Sequence, residues 1–94
     1  MAIRVLYFFQ EGCMACHEQE PILAEVESAL GIRAERINPA RDRSYIAKYR
    51  LSVTPTIVIE RDDATEGARF EGLVHREQLE EAIRGISRGT RKPA

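Results

Sequence analysis

The stretch that most constrains this chain is Gly12-Cys13-Met14-Ala15-Cys16-His17. It lies between an apolar run, Ile3-Arg4-Val5-Leu6-Tyr7-Phe8-Phe9, and a helical pattern that begins at Met14 and continues to Leu30. Both cysteines of the 94-residue chain are in it. Two thiols three positions apart in the first turn of a helix can close a small disulfide ring. The first of them sits where free backbone N–H groups and the helix dipole favour a thiolate. The spacing and placement therefore point to a dithiol redox centre. The competing reading, two buried cysteines acting as small hydrophobes, does not require a strand-to-helix junction.

The flanking sequence specifies the rest of an α/β fold. Residues 3–9 are apolar on both faces apart from Arg4, the pattern of a strand covered on both sides and central in its sheet. Residues 10–12 form a turn. The helix after it is expected to bury Cys16, Ile22, Leu23, Val26, Ala29 and Leu30, with Glu18, Glu25, Glu27 and Ser28 in water and Gly31 as its C-cap. Pro21 lies inside it and removes one backbone donor, so a kink is expected one turn past the thiols.

Residues 32–38 form a second strand, which Pro39 stops, and residues 41–50 a short surface helix carrying Ile46 and Tyr49. Residues 54–59 make another continuously apolar strand, headed by Pro55. A charged loop at 61–67 leads to an alternating strand at 68–72, paired antiparallel with the strand before it. The last helix opens with His75 as cap, Gln78 in a capping box and a Val74–Leu79 staple, buries Leu79, Ala82, Ile83 and Ile86, and stops near Ser87. The order is β-α-β-α-β-β-α, a four-stranded mixed sheet with helices on both faces. The chain divides into one domain, residues 1–87, and a basic, flexible tail, residues 88–94.

Composition narrows the partners. With 14 Lys+Arg against 15 Asp+Glu, no net field favours nucleic acid or an anionic membrane. No apolar run approaches the ~20 residues that span a bilayer, and the first residues enter strand-like sequence without a charged and apolar leader. These features lead to the expectation of a cytoplasmic monomer, in which two cysteines are redox-active or metal-binding rather than a structural staple.

The chain resembles the thioredoxin superfamily over nearly all its length. The matching features are the strand at 5–9, Cys13-Met14-Ala15-Cys16 at a helix start and Pro21 five positions after the second cysteine. Lys48-Tyr49 ahead of Val53-Thr54-Pro55-Thr56, and Gly72 before the last helix, complete the set. Without the first strand and helix of full-length thioredoxins, the chain is similar to the minimal, glutaredoxin-sized version.

The resemblance implies that Cys13 is the exposed nucleophile, Cys16 the buried resolving thiol and Pro55 a cis-proline lying against the disulfide. Gly12, Thr54 and Pro55 would then form the substrate-binding surface, with the Thr54 backbone free to pair with an extended peptide. It also implies protein disulfides as substrates, an unidentified reductase or thiol donor, and no cofactor. There are departures: Gly12 replaces a tryptophan, Met14-Ala15 replaces Gly-Pro, and Tyr7 stands at the family's buried aspartate. His17 and Glu20 are the candidate substitutes for that acid. The Gly-Gly-Asp-type glutathione signature of glutaredoxins is missing from Glu71-Gly72-Leu73-Val74. Two other readings of the same residues stay open. One is a metal-binding module using Cys13, Cys16 and His17, with His75 the other histidine of the sequence. The other is a c-type haem attachment site, since Cys13 to His17 also satisfies C-x-x-C-H.

Overall fold

The two continuously apolar runs form the interior strands of a single sheet, because only a strand covered on both faces can bury consecutive side chains. The structure is a computed structural model that describes residues 3–90, with side chains to Arg88. Its elements are β1 (Arg4–Phe8), α1 (Met14–Leu30), β2 (Glu35–Ile37), α2 (Ser44–Tyr49), β3 (Thr56–Glu60), β4 (Glu66–Glu71) and α3 (Arg76–Thr90). The strand order is β2-β1-β3-β4. β1 pairs parallel with β2 and antiparallel with β3, and β3 pairs antiparallel with β4. This is the expected four-stranded mixed sheet, in a thioredoxin-like arrangement.

Alternation along β1 and β3 divides the core in two. Val5, Tyr7, Ile57 and Ile59 face Leu23 and Val26 of α1 and Leu79 and Ile83 of α3. Leu6, Phe8 and Val58 face the opposite way, against Tyr49 with Tyr45 beside it. Helices α1 and α3 thus cover one face and α2 the other.

Several boundaries differ from expectation for identifiable reasons. β2 is three residues rather than seven: it is the edge strand, with a single hydrogen-bonded neighbour, and buried Pro39 follows it closely. α2 starts at Ser44 rather than at residue 41, after a turn in which Asp42 Oδ1 accepts from the Ser44 backbone at 3.1 Å. β4 begins at Glu66, so Gly67 is a strand residue and not the end of a loop. A Cβ on Gly67 would stand 2.9 Å from Ile86 Cδ1 and 3.2 Å from the Ile59 carbonyl, which identifies this glycine as the point where α3 presses on the sheet. α3 continues to Thr90, three residues past the expected stop near Ser87; the remainder of the expected tail, residues 91–94, lies outside the described residues.

Helix α1 has the expected limits and passes unbroken through Pro21. Its buried face differs from expectation at two positions: Gln19 is fully buried and Ala29 is exposed. Glu27, expected in water, is half-buried because it accepts from the Ala34 backbone at 2.7 Å and from Arg36. Its last turn therefore folds over the start of β2.

Candidate active site

The site is assembled by three chain segments at the C-terminal end of β1. Gly12 turns the chain out of β1 at φ 76°, a conformation that an L side chain rarely adopts. Cys13 follows in extended geometry as the N-cap of α1. Its Sγ accepts the Cys16 backbone N–H at 3.1 Å, and its carbonyl accepts the His17 N–H at 3.2 Å. A sulfur in that position takes up one of the donors a helix start leaves unpaired, and negative charge on it is favoured by the helix dipole.

Cys13 and Cys16 are joined as a disulfide, their Cα atoms 5.2 Å apart. The two cysteines differ in access: Cys13 is half-buried, while Cys16, on the stripe of Leu23 and Val26, is 6 % exposed.

The second wall is the loop before β3. The Thr54–Pro55 peptide bond is cis. The Thr54 carbonyl lies 3.8 Å from Cys13 Sγ, and the Thr54 hydroxyl 3.7 Å from the same sulfur. That hydroxyl has one proton, and its shorter contact is to Gln10 Oε1 at 3.2 Å, so Gln10 holds the loop against the β1–α1 turn. Thr56 Oγ1 donates to the Val53 carbonyl at 2.6 Å, which tightens the loop further. Pro55 is buried, and its carbonyl accepts from Gly72 N at 2.8 Å, which brings in the third segment, the β4–α3 connection. Gly12, Cys13, Thr54 and Pro55 are therefore gathered at one end of the sheet. Met14 and Val53, next to them in sequence, and Leu73, next to Gly72, are 79 %, 43 % and 38 % exposed.

Beneath the disulfide sits Tyr7. Its hydroxyl donates to the Cys16 carbonyl at 3.0 Å. Burial, reinforced by the nearby charge of Glu20, pushes its phenol up to about 12. A phenol so shifted keeps its proton and acts here as a donor that fixes the first turn of α1, not as a proton acceptor. Of the two candidate substitutes for the missing acid, His17 is exposed and Glu20 pairs with Arg36 at 2.6 Å. Arg36 also pairs with Glu27, whose carboxyl is held below its usual range first by that hydrogen bond. On the buried face of α1, Gln19 Oε1 accepts from Val74 N at 2.9 Å and Gln19 Nε2 donates to the Val74 carbonyl at 3.0 Å, so one buried amide locks α1 to the entry of α3. Gln10, Gln19 and the exposed Met14, Val53 and Leu73 were missed by sequence reasoning. Only Gln19 leaves a signal, a polar residue on an otherwise apolar stripe.

His75 stands at the entry of α3, its carbonyl accepting from Leu79 N at 3.2 Å, with Val74 and Leu79 both in the core as the staple requires. A metal site would need more donors than two thiols. Among the described residues no group of three or more His, Cys, Asp or Glu side chains is placed to hold a metal ion. The cleft beside the thiols measures about 330 Å³, the small end of the ~300–1,000 Å³ usual for ligand sites, and His17 is the only histidine lining it. Neither the metal nor the haem reading gains a ligand from the structure.

No protein-family model matches the sequence, and no curated protein matches it. Solved structures do. Thioredoxin-2, a component of the malaria parasite protein secretion machinery, superposes with a TM-score of 0.83 at 26 % identity, over 89 % of this chain and 82 % of that one. Chloroplastic thioredoxin z gives 0.80 at 23 % identity, over 92 % and 79 %. Fasciola hepatica thioredoxin gives 0.79 at 24 % identity, over 89 % and 80 %. Thioredoxin neighbours together with a disulfide-forming CxxC pair support a thiol–disulfide oxidoreductase at the family level. By its fold, its structural neighbours and the Cys13–Cys16 pair at the head of α1, the chain is a thioredoxin-superfamily protein.

Proposed function

We propose that the chain is a protein-disulfide reductase of the cytoplasm, working through the Cys13/Cys16 dithiol with electrons from a reductase or low-molecular-weight thiol. The observation that carries this reading is the unequal burial of the two cysteines: Cys13 is half-buried at the helix N-cap with a backbone N–H on its sulfur, and Cys16 is 6 % exposed. Cys13 thiolate attacks one sulfur of a substrate disulfide, forms a mixed disulfide and expels the other sulfur as a thiolate. Cys16, deprotonated, attacks the Cys13 sulfur of that adduct, which releases the second substrate thiolate and leaves Cys13–Cys16 oxidised. Exchange of this kind uses no cofactor. Gly12 and Thr54 form the docking surface over the buried Pro55, with the exposed Met14, Val53 and Leu73 as its apolar rim, a surface suited to an extended peptide.

Replacing Cys16 by Ser keeps the attacking thiolate and removes the group that resolves the adduct. The Cys16→Ser protein is expected to accumulate mixed disulfides with protein substrates that dithiothreitol releases, and Cys13→Ser to trap few. Equal trapping by both variants would overturn the assignment of roles.

A further inference from the structure

A cleft beside the disulfide is lined by neither Thr54 nor Pro55. The cleft of about 330 Å³ there is lined by Cys13 and Cys16 themselves. Tyr7 and Phe9, whose rings stack at 5.8 Å, form its apolar wall, and Glu11 and Glu20 are its carboxylates. A Cβ placed on Gly12 would meet nothing within 4 Å, so the mouth of the cleft is open at the position next to the nucleophile. The volume is that of a small ligand, too little for a folded substrate.

The charge of this cleft is one-sided. His17 is the only other ionisable side chain lining it apart from the tyrosine and the cysteines. Arg36, which reaches Glu20 at 2.6 Å, is shared with Glu27 at 2.9 Å, so one guanidinium faces two carboxylates. Glu11 is exposed at the lip, and no ion pair to it occurs among the described residues. Carboxylates above an aromatic wall attract an ammonium group and repel a carboxylate.

Resting on the dithiol reading above, we infer that this cleft admits low-molecular-weight disulfides carrying an ammonium group near the sulfur, and disfavours those carrying carboxylates. The step is balanced within the two reactants. Cys13 thiolate attacks R–S–S–R, forming Cys13–S–S–R and releasing one RS⁻. Cys16 then attacks Cys13, its proton passing to solvent, and releases the second RS⁻. The dithiol is oxidised by two electrons and the small disulfide is reduced to two thiols. Glu11 sets the selectivity by its charge beside the incoming group.

The test is a single-turnover measurement with the pre-reduced protein against three probes: cystamine, bis(2-hydroxyethyl) disulfide and dithiodiglycolate. Each rate is divided by that of free dithiothreitol with the same probe, which removes the intrinsic reactivity of the disulfide. The corrected rate is expected to be greatest for cystamine and least for dithiodiglycolate, each step about fivefold for a charge pair near 4 Å in water. The spread should shrink in 1 M salt, where the screening length is about 3 Å. Glu11→Gln should narrow the ratio of cystamine to dithiodiglycolate, and Glu11→Lys should invert it. If all three probes react with corrected rates that are equal and indifferent to Glu11 substitution, the cleft does not select by charge and the inference is wrong while the dithiol reading stands. If none of the three is reduced, both fall.

Discussion

Tyr7 is the residue whose chemistry departs furthest from what its position suggests in this fold. A phenol held at about 12 cannot take a proton from Cys16 near neutral pH, so its contribution is structural: one hydrogen bond into the first turn of α1. Tyr7→Phe is expected to cost about 1 kcal/mol in urea unfolding, the usual net worth of such a bond. The pH dependence carries a second signature. Between the ordinary tyrosine value of 10 and the folded value of about 12, the unfolded chain binds fewer protons than the folded one, so stability falls as pH rises through that window. Tyr49, pushed up to about 12 chiefly by burial, adds to the same limb, so Tyr7→Phe should flatten the alkaline loss of stability but not abolish it. Gln19 makes the complementary case. Gln19→Ala leaves the buried N–H and carbonyl of Val74 without their partner and is expected to lower stability by about 3 kcal/mol with an unchanged denaturant slope. The Cys13–Cys16 pair was legible in the sequence because a three-residue spacing at a strand-to-helix junction lets a small disulfide ring close. Gln19 was not, because a polar residue on an apolar stripe is readable only once its partner, 55 residues away, is in place.

The elements were legible where periodicity is long and boundaries are chemical. Helix α1 begins at its cysteine cap and ends at Gly31 in the left-handed region, φ 66°, as its sequence requires. Edges set by neighbours were not: β2 is cut short at the sheet edge, and the start of β4 is decided by where α3 lands. Gly67 makes that dependence testable. Gly67→Ala drives a methyl into Ile86 and toward the Ile59 carbonyl, and is expected to cost about 1–2 kcal/mol in urea unfolding. Adding Ile86→Val removes the Cδ1 atom at 2.9 Å but leaves Cγ2 at 3.1 Å, so part of the loss should return. A double variant no better than the single one would show that Cδ1 is not the obstacle, and would leave the clash to Cγ2 and the Ile59 carbonyl.

The whole molecule is a sheet covered on two faces, with a polar clasp at its parallel edge: Arg4 bonds Glu35, and Arg36 bonds both Glu20 and Glu27. Hydrogen bonds from Arg36 and Arg4 are the leading cause holding Glu27 and Glu35, respectively, below the ordinary glutamate value of 4.5. The unfolded chain therefore binds more protons as pH drops past 4.5, so the clasp's contribution is present above that value and is lost as pH falls through the folded values. Glu27→Gln should be less stable than the parent at pH 6 and closer to it at pH 3. That clasp joins residues 9 to 31 positions apart and was invisible to sequence reasoning, which placed Glu27 in water.

The dithiol site, whose cleft Glu20 of that clasp also lines, rests on one claim, that Cys13 attacks and Cys16 resolves. Alkylation of the fully reduced protein with iodoacetamide, quantified by mass spectrometry for each cysteine across pH, tests it directly. Cys13 is expected to react first, with a midpoint below the ordinary thiol value of about 8.5, and Cys16 to lag at every pH. Faster modification of Cys16, or equal rates at the two positions, would contradict the account.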